Sequence, residues 1–309
     1  MQILFASSEH DSAPWIRDFE RALPECRIVP WHPGLPPQGA ELAIVWHPPA
    51  ELFSRETGLK TVFNLGAGVD AILALPTLPP GLRVVRLEDA GMGVQMAEYV
   101  LHALWCAARD FDAYDQARRE GRWIRRPPPS REQWPVGVLG LGAVGARVAQ
   151  AVAGFGFPVA GWSRSPRELP GVQSYAGAGR LPEFLARTRV LVNVLPLTPD
   201  TRHILNRDTL GRLLPDAWLV NIGRGGHLAE EDLIPLLDSG RLQGAVLDVF
   251  ETEPLPAGHP FWSHPAIRVT PHIAGFTLRE EAVRQIAAKI RDLAAGRPVS
   301  GTVERARGY

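Results

Sequence analysis

The run Val136-Gly-Val-Leu-Gly-Leu-Gly-Ala-Val-Gly145 constrains the fold more than any other stretch of the chain. An apolar, β-branched segment ends in glycines at 140, 142 and 145, and an Ala- and Val-rich segment of helical character, 146–155, follows it. A strand that turns through glycines into a helix leaves the first backbone N–H groups of that helix exposed. Those groups and the helix dipole suit a pyrophosphate. Gly140 serves the tight turn, Gly142 the close approach of phosphates, and Gly145 the packing of helix on strand. The motif predicts a dinucleotide-binding βαβ unit, the alternative being a plain βα turn with no ligand.

The next strand bears on which dinucleotide. It covers 158–162 and leads into Ser163-Arg164-Ser165. An acidic residue about twenty positions past the glycines commonly grips the adenosine ribose of NAD. Here no Asp or Glu lies between Gly145 and Arg167, the first being Glu168. Arg164, flanked by Ser163 and Ser165, offers charge-assisted hydrogen bonds to a 2′-phosphate instead. The expectation is NADP(H) preferred, with NAD(H) possible.

A chain of 309 residues holds two domains of ordinary size. Short apolar runs at 2–6, 42–45, 61–64 and 83–86, with Pro or Gly between them and a helix at 15–22, read as a first α/β unit. Residues 93–120 read as one long helix, with apolar residues at three- and four-residue spacing from Met96 to Phe111. Six strands at 136–139, 159–162, 190–194, 218–222, 244–248 and 267–270 then predict a doubly wound parallel sheet. An amphipathic helix at 278–295 is expected to cross back to the first unit. The expected fold class is α/β, with two Rossmann-like or flavodoxin-like domains and parallel sheets. The cofactor domain, 93–275, is inserted into a substrate domain made of 1–92 and 276–309.

Composition excludes several classes of partner. With 33 basic and 33 acidic residues the formal net charge is zero, so no global field recruits nucleic acid or a membrane. No apolar run reaches the length of a membrane span. The first residues are too short and uncharged for a signal peptide, and Cys26 and Cys106 lie far apart, so a cytoplasmic setting is expected. His259 and His264 superficially have metal-ligand spacing but lack a third ligand, and no metal is expected. The arginines at 118–126 are interleaved with acids and read as a solvated or subunit-contact face.

Three segments follow predicted strands of the second unit: Asn221-Ile-Gly-Arg-Gly225, Asp248-Val-Phe-Glu-Thr-Glu-Pro254 and Thr270-Pro-His-Ile-Ala-Gly275. They supply Arg224, Glu253 and His272 at strand carboxyl ends, where open α/β sheets bind ligands. Reduction of a ketone builds negative charge on the carbonyl oxygen. A protonated His delivers the proton, a carboxylate orients its ring, and an Arg grips the carboxylate and carbonyl of a 2-keto acid.

With these motifs the chain resembles the D-isomer-specific 2-hydroxyacid dehydrogenases, and among them the glyoxylate/hydroxypyruvate reductase A subgroup. Further motifs carry the resemblance: Val45-Trp-His-Pro-Pro49, Leu65-Gly-Ala-Gly-Val-Asp70, Glu88-Asp-Ala-Gly-Met-Gly93, Arg189-Val-Leu-Val-Asn-Val-Leu-Pro196 and Arg305-Ala-Arg-Gly-Tyr309. The resemblance implies that His272 is the acid/base residue, Glu253 its partner and Arg224 the substrate-binding Arg. It implies that Gly66, Ala67 and Gly68 approach the substrate carboxylate, with backbone N–H groups of Ala67 and Gly68 as donors, and that Trp46 walls the pocket. It places Ala143, Val144, Ser163, Arg164 and Ser165 at the phosphates and adenosine. Leu195, Pro196, Ile222, Gly223, Ala274 and Gly275 fall among the cofactor contacts, and Asp248 near the carboxamide. Gly223 departs from the Ala or Ser common in the family and implies a looser backbone beside Arg224; Gly226 is also smaller than expected.

The implied activity is NADPH-preferring reduction of small 2-keto acids, glyoxylate to glycolate and hydroxypyruvate to D-glycerate, by a homodimer that contacts neither nucleic acid nor membrane. The alternatives are a relative acting on phosphoglycerate or a broader range of keto acids, and a non-catalytic cofactor-sensing protein of the same fold.

Overall fold

Apolar runs and amphipathic segments alternate along the chain, and the computed structural model, which describes every residue except Glu9 and His10, folds them into two units. One comprises Met1–Gly91 with Thr277–Tyr309, the other Met92–Phe276. The first begins β1 (Gln2–Ser7), α1 (Ser12–Ala22), β2 (Arg27–Pro30), β3 (Leu42–Trp46), α2 (Glu51–Arg55), β4 (Thr61–Asn64), α3 (Asp70–Leu73) and β5 (Arg83–Arg86). Its strands are all parallel, in the order β2-β1-β3-β4-β5. Strand β2 went unread in the sequence because it is a short edge strand with exposed ends, finishing in Pro30.

The second unit carries α4 (Met92–Arg109), α5 (Phe111–Arg119), β6 (Val136–Leu139), α6 (Ala143–Gly154), β7 (Val159–Ser163), β8 (Val172–Ala176) and α7 (Leu181–Ala186). It continues with β9 (Val190–Asn193), α8 (Arg207–Leu210), β10 (Ala217–Asn221), α9 (Glu230–Asp238), β11 (Leu242–Leu247) and β12 (Ile267–Val269). The sheet is parallel throughout, in the order β12-β11-β10-β9-β6-β7-β8. Strand order reverses beside β6, which puts the glycine motif at the topological switch point, where such sheets bind ligands. The α/β architecture with parallel sheets is as expected.

Two expectations need correction. The helix read over 93–120 is two helices, because Asp110 between α4 and α5 takes the left-handed conformation with φ 51°. Asp tolerates that region better than most side chains, and Asp110 pairs with Arg126. Burial changes there too: α4 buries Ala97, Val100, Leu104 and Ala108, whereas α5 buries only Ala117. The sheet has seven strands rather than six; β8, Val-Gln-Ser-Tyr-Ala, is a polar edge strand that buries only Tyr175.

Both faces of the larger sheet are covered. Val100, Leu104, Val148 and Val152 of α4 and α6 pack on one side, while Phe184, Leu210 and Leu233 pack on the other. The last helix, α10 (Arg279–Ala294), belongs to the first unit and buries Ala282, Val283, Ile286 and Ile290. It also buries Lys289, whose ammonium donates to the carbonyls of Arg86 and Ser300 and to the Glu88 carboxylate.

Candidate active site

The glycines after β6 each meet a different constraint. Gly140 has φ 101°, a backbone region that side chains rarely enter. A Cβ on Gly145 would lie 1.8 Å from the Gly140 carbonyl oxygen, so α6 packs onto the turn only because position 145 lacks one. Nothing lies within 4 Å of where a Gly142 Cβ would stand. That open space borders the N-terminus of α6, where the N–H groups of Ala143, Val144 and Gly145 precede the first intrahelical bond, from Ala146 to the Gly142 carbonyl.

Strand β7 ends at Ser163, and its turn exposes Arg164 and Ser165. The Ser163 hydroxyl donates to the Ser165 carbonyl at 2.7 Å, which closes the turn and leaves that hydroxyl only as an acceptor. The exposed Arg164 and Ser165 side chains and the missing carboxylate fit a 2′-phosphorylated dinucleotide. Leu195, buried, and Pro196, half-buried, follow β9. Ile222 and Gly223 follow β10 and are buried, as is Ala274 after β12. Gly275 packs against Met96, whose Cγ would be 2.8 Å from a Cβ there.

Arg224, Glu253 and His272 come together within the larger unit. His272 Nδ1 bonds Glu253 Oε2 at 2.7 Å, and the Phe250 N–H donates to Glu253 Oε1 at 2.9 Å. With Nδ1–H committed to the carboxylate, Nε2 is the atom that faces other partners. Burial pushes the Glu253 carboxyl up, but the His272 ring, the Phe250 N–H and the charges of His272 and Arg224 outweigh it and hold it below the usual range. Glu253 is therefore an anion at neutral pH and accepts the hydrogen bond from the His272 ring.

The loops bearing these side chains are fastened from below. A Cβ on Gly225 would fall 1.8 Å from the Phe250 carbonyl carbon, so the loop after β10 lies directly on the loop after β11. His272 adopts φ 55°, an uncommon region for a non-glycine residue and one that tends to mark functional sites. Asp248 holds it there. Its carbonyl accepts the His272 N–H at 2.9 Å, Oδ1 accepts from Thr270 Oγ1 at 2.6 Å and Ile273 N at 2.8 Å, and Oδ2 accepts from Ala274 N at 2.8 Å. Tyr99 of α4 extends this chain through Thr270, 2.5 Å away.

A second buried network underlies Arg224. Asn193, Asn221 and His227 are each fully buried. Asn193 Nδ2 donates to Asn221 Oδ1 and lies 2.9 Å from His227 Nδ1; the latter accepts the Arg224 N–H at 3.1 Å, and Asn221 Nδ2 donates to the Arg224 carbonyl at 3.1 Å. The looser backbone inferred at Gly223 is thus corrected. The loop is tied at several points, and a Cβ on Gly223 would come within 2.8 Å of Asn193 Nδ2. The space beside Gly226 is filled by Leu197 and Arg202. His227 and Tyr99 were not singled out from sequence, since a buried His or Tyr has no signature of its own; the polar Asn193 and Asn221 at the ends of apolar strands were the available signal.

In the smaller unit, Trp46 ends β3 and the Gly66-Ala67-Gly68 loop follows β4. A Cβ on Gly66 would be 2.1 Å from the Trp46 ring, which brings these expected substrate contacts together. His259 and His264 make separate contacts, with Glu230 at 3.4 Å and Asp238 at 3.3 Å, and among the described residues no cluster of three or more His, Cys, Asp or Glu could hold a metal. No helix among the described residues is long and apolar enough to cross a membrane.

A family profile for the D-isomer specific 2-hydroxyacid dehydrogenase NAD binding domain matches residues 101–274. The chain belongs to the D-isomer-specific 2-hydroxyacid dehydrogenase family. Among curated relatives, this dehydrogenase is 44% identical to glyoxylate/hydroxypyruvate reductase A of Serratia proteamaculans over the full length of both chains, and 44% identical to that of Escherichia fergusonii. Its fold is similar to a D-isomer specific 2-hydroxyacid dehydrogenase from Xanthobacter autotrophicus in complex with NADPH and MES. The TM-score there is 0.94 at 40% identity, covering 100% of this chain and 99% of that one. It is also similar to the NADPH-dependent glyoxylate/hydroxypyruvate reductase of Sinorhizobium meliloti in complex with NADP and sulfate, with TM-score 0.93, 34% identity and coverage of 100% and 99%.

Proposed function

We propose that this dehydrogenase reduces glyoxylate to glycolate and hydroxypyruvate to D-glycerate, with NADPH preferred. The observation that carries the reading is the His272–Glu253 hydrogen bond of 2.7 Å, at the carboxyl end of a dinucleotide-binding sheet and within the field of Arg224. Full-length similarity to glyoxylate/hydroxypyruvate reductases supports the choice of substrate.

The chain's own groups divide the work. Arg224 binds the keto oxygen and carboxylate and offsets the charge that develops on them. Glu253 keeps His272 oriented, and His272 Nε2–H passes its proton to the oxygen as the alkoxide forms. The N–H groups of Ala67 and Gly68 receive the substrate carboxylate, with Trp46 beside them. Ala143, Val144 and Gly145 would hold the pyrophosphate, and Arg164 and Ser165 the 2′-phosphate; Leu195 and Pro196 would lie along the nicotinamide and Asp248 near its carboxamide, with Ile222, Gly223, Ala274 and Gly275 among the other cofactor contacts. The reduced nicotinamide, when bound, supplies the hydride for the keto carbon.

The test is NADPH oxidation followed by absorbance with glyoxylate, hydroxypyruvate and pyruvate. The first two should be turned over, and His272→Ala should lower kcat by about 10²–10⁴. An unchanged kcat in that variant removes His272 as the general acid.

The assembly we infer is a homodimer formed through the helical segment 93–120 and the arm 123–134, where Trp123 is 89% exposed. A single-chain mass by light scattering would exclude it. The free thiols of Cys26 and Cys106 fit a cytoplasmic location.

A further inference from the structure

Strand β4 is buried along its whole length, and its last residue, Asn64, is a polar side chain at only 4% exposure. A buried amide needs partners, and both of its donor bonds go to the loop that follows. Asn64 Nδ2 donates to the Gly66 carbonyl at 3.0 Å and to the Gly68 carbonyl at 2.8 Å. The Gly66 carbonyl also accepts the Leu87 N–H at 3.2 Å, and the Leu65 carbonyl accepts from Thr277 Oγ1 at 3.2 Å. On its other side the loop is stopped by the Trp46 ring lying against Gly66.

The C=O and N–H of a trans peptide point in opposite directions. Drawing the Gly66 carbonyl towards Asn64 therefore turns the Ala67 N–H away from it, and holding Gly68 from the same amide fixes the loop at both ends. We propose that Asn64 is a positioning residue for the substrate: by holding the Gly66 carbonyl its amide turns the Ala67 N–H, rather than that carbonyl, towards a carboxylate, and by holding the Gly68 carbonyl it anchors the far end of the loop. The proposal rests on the reading of this loop as the carboxylate-binding element. An unrestrained glycine loop would sample orientations that offer a carbonyl oxygen, which repels an anion, and preorganisation removes that cost.

The experiment compares wild type, Asn64→Ala and Asn64→Ser by steady-state kinetics with glyoxylate and NADPH, with the thermal midpoint as the measure of folding. In Asn64→Ala the KM for glyoxylate should rise about tenfold or more while the KM for NADPH moves by less than about twofold. Asn64→Ser, which keeps one donor, should fall between wild type and Asn64→Ala. An unmoved glyoxylate KM in folded Asn64→Ala overturns the proposal, as does a joint rise of both KM values in both variants. Loss of folding in both assigns Asn64 to the fold alone and overturns it as well. A wild-type chain that reduces no keto acid defeats the functional reading and this inference with it. An active wild type with an insensitive Asn64 defeats only the positioning role.

Discussion

At the scale of single residues, the site depends on side chains that never meet substrate. His272 sits in a left-handed conformation that few non-glycine residues adopt. It is kept there by Asp248, and Asp248 is kept by Thr270. Because the Thr270 hydroxyl gives its proton to Asp248, the Tyr99 hydroxyl must be the donor in the next link. Burial raises the Tyr99 phenol to about 12, the charge of Asp248 adding to the effect and the Thr270 bond opposing it. Tyr99 thus stays protonated throughout the neutral range and is a permanent donor. Tyr99→Phe should cost about 1 kcal/mol of stability and lower kcat by less than about tenfold, measured by denaturant unfolding and by turnover at saturating substrate. Wild-type kcat in the variant would mean that this chain of hydroxyls does not hold the ring.

At the scale of elements, what could be read from sequence follows from how each strand is buried. Strands β6, β9 and β10 are interior and parallel, so they appear as unbroken apolar runs. Edge strands β2 and β8 are half-solvated and short, and their polar positions hide them. The break at Asp110 has no local marker of the strength of Gly or Pro, so the helical period carries straight across it. Glu253 and His272 were legible because strand ends and loop motifs coincide there; the joining of Asn193 to Asn221 and His227 was not, because those contacts span 28 and 34 residues of sequence.

The turn after β7 is the element whose chemistry was clearest, since it depends on an absent acid and a present cation. Arg164→Ala should raise the KM for NADPH about tenfold or more, the scale of a lost charge-assisted bond. The KM for NADH should change little. Equal losses for the two cofactors would dismiss the contact with the 2′-phosphate.

At the scale of the whole molecule, each unit carries a carboxyl group whose affinity for protons falls on folding. In the smaller unit, burial pushes Glu88 up, but bonds from Ser300 and Lys289 and the charges of Lys289 and Arg86 prevail and bring it below its ordinary 4.5. In the larger unit Glu253 is lowered by the balance already described. A carboxyl with a depressed folded value contributes stability that is present above its unfolded value and lost as pH falls through the folded one. Both units should therefore hold their stability down to about pH 4.5 and lose it below. Lys289 works in the opposite sense at the other end of the scale. Burial lowers it from 10.5, with Glu88 opposing, so the unfolded chain binds the proton more tightly. Stability gained from relief of that buried charge should appear only as pH rises through the alkaline range towards 10.5.

The Glu88 and Ser300 side chains and the Lys289 ammonium form one cluster that ties the segment after α10 to the edge of β5. Glu88→Gln should lower the thermal midpoint at neutral pH and make its acid decline shallower, because the variant has no carboxylate there to protonate. Glu253→Gln should do the same for the larger unit while also lowering kcat. Calorimetry from the acid to the alkaline range on wild type and both variants reads these slopes directly. A wild-type midpoint that does not fall below about pH 4.5, or an acid limb unchanged in Glu88→Gln, would show that these carboxylates do not govern acid stability.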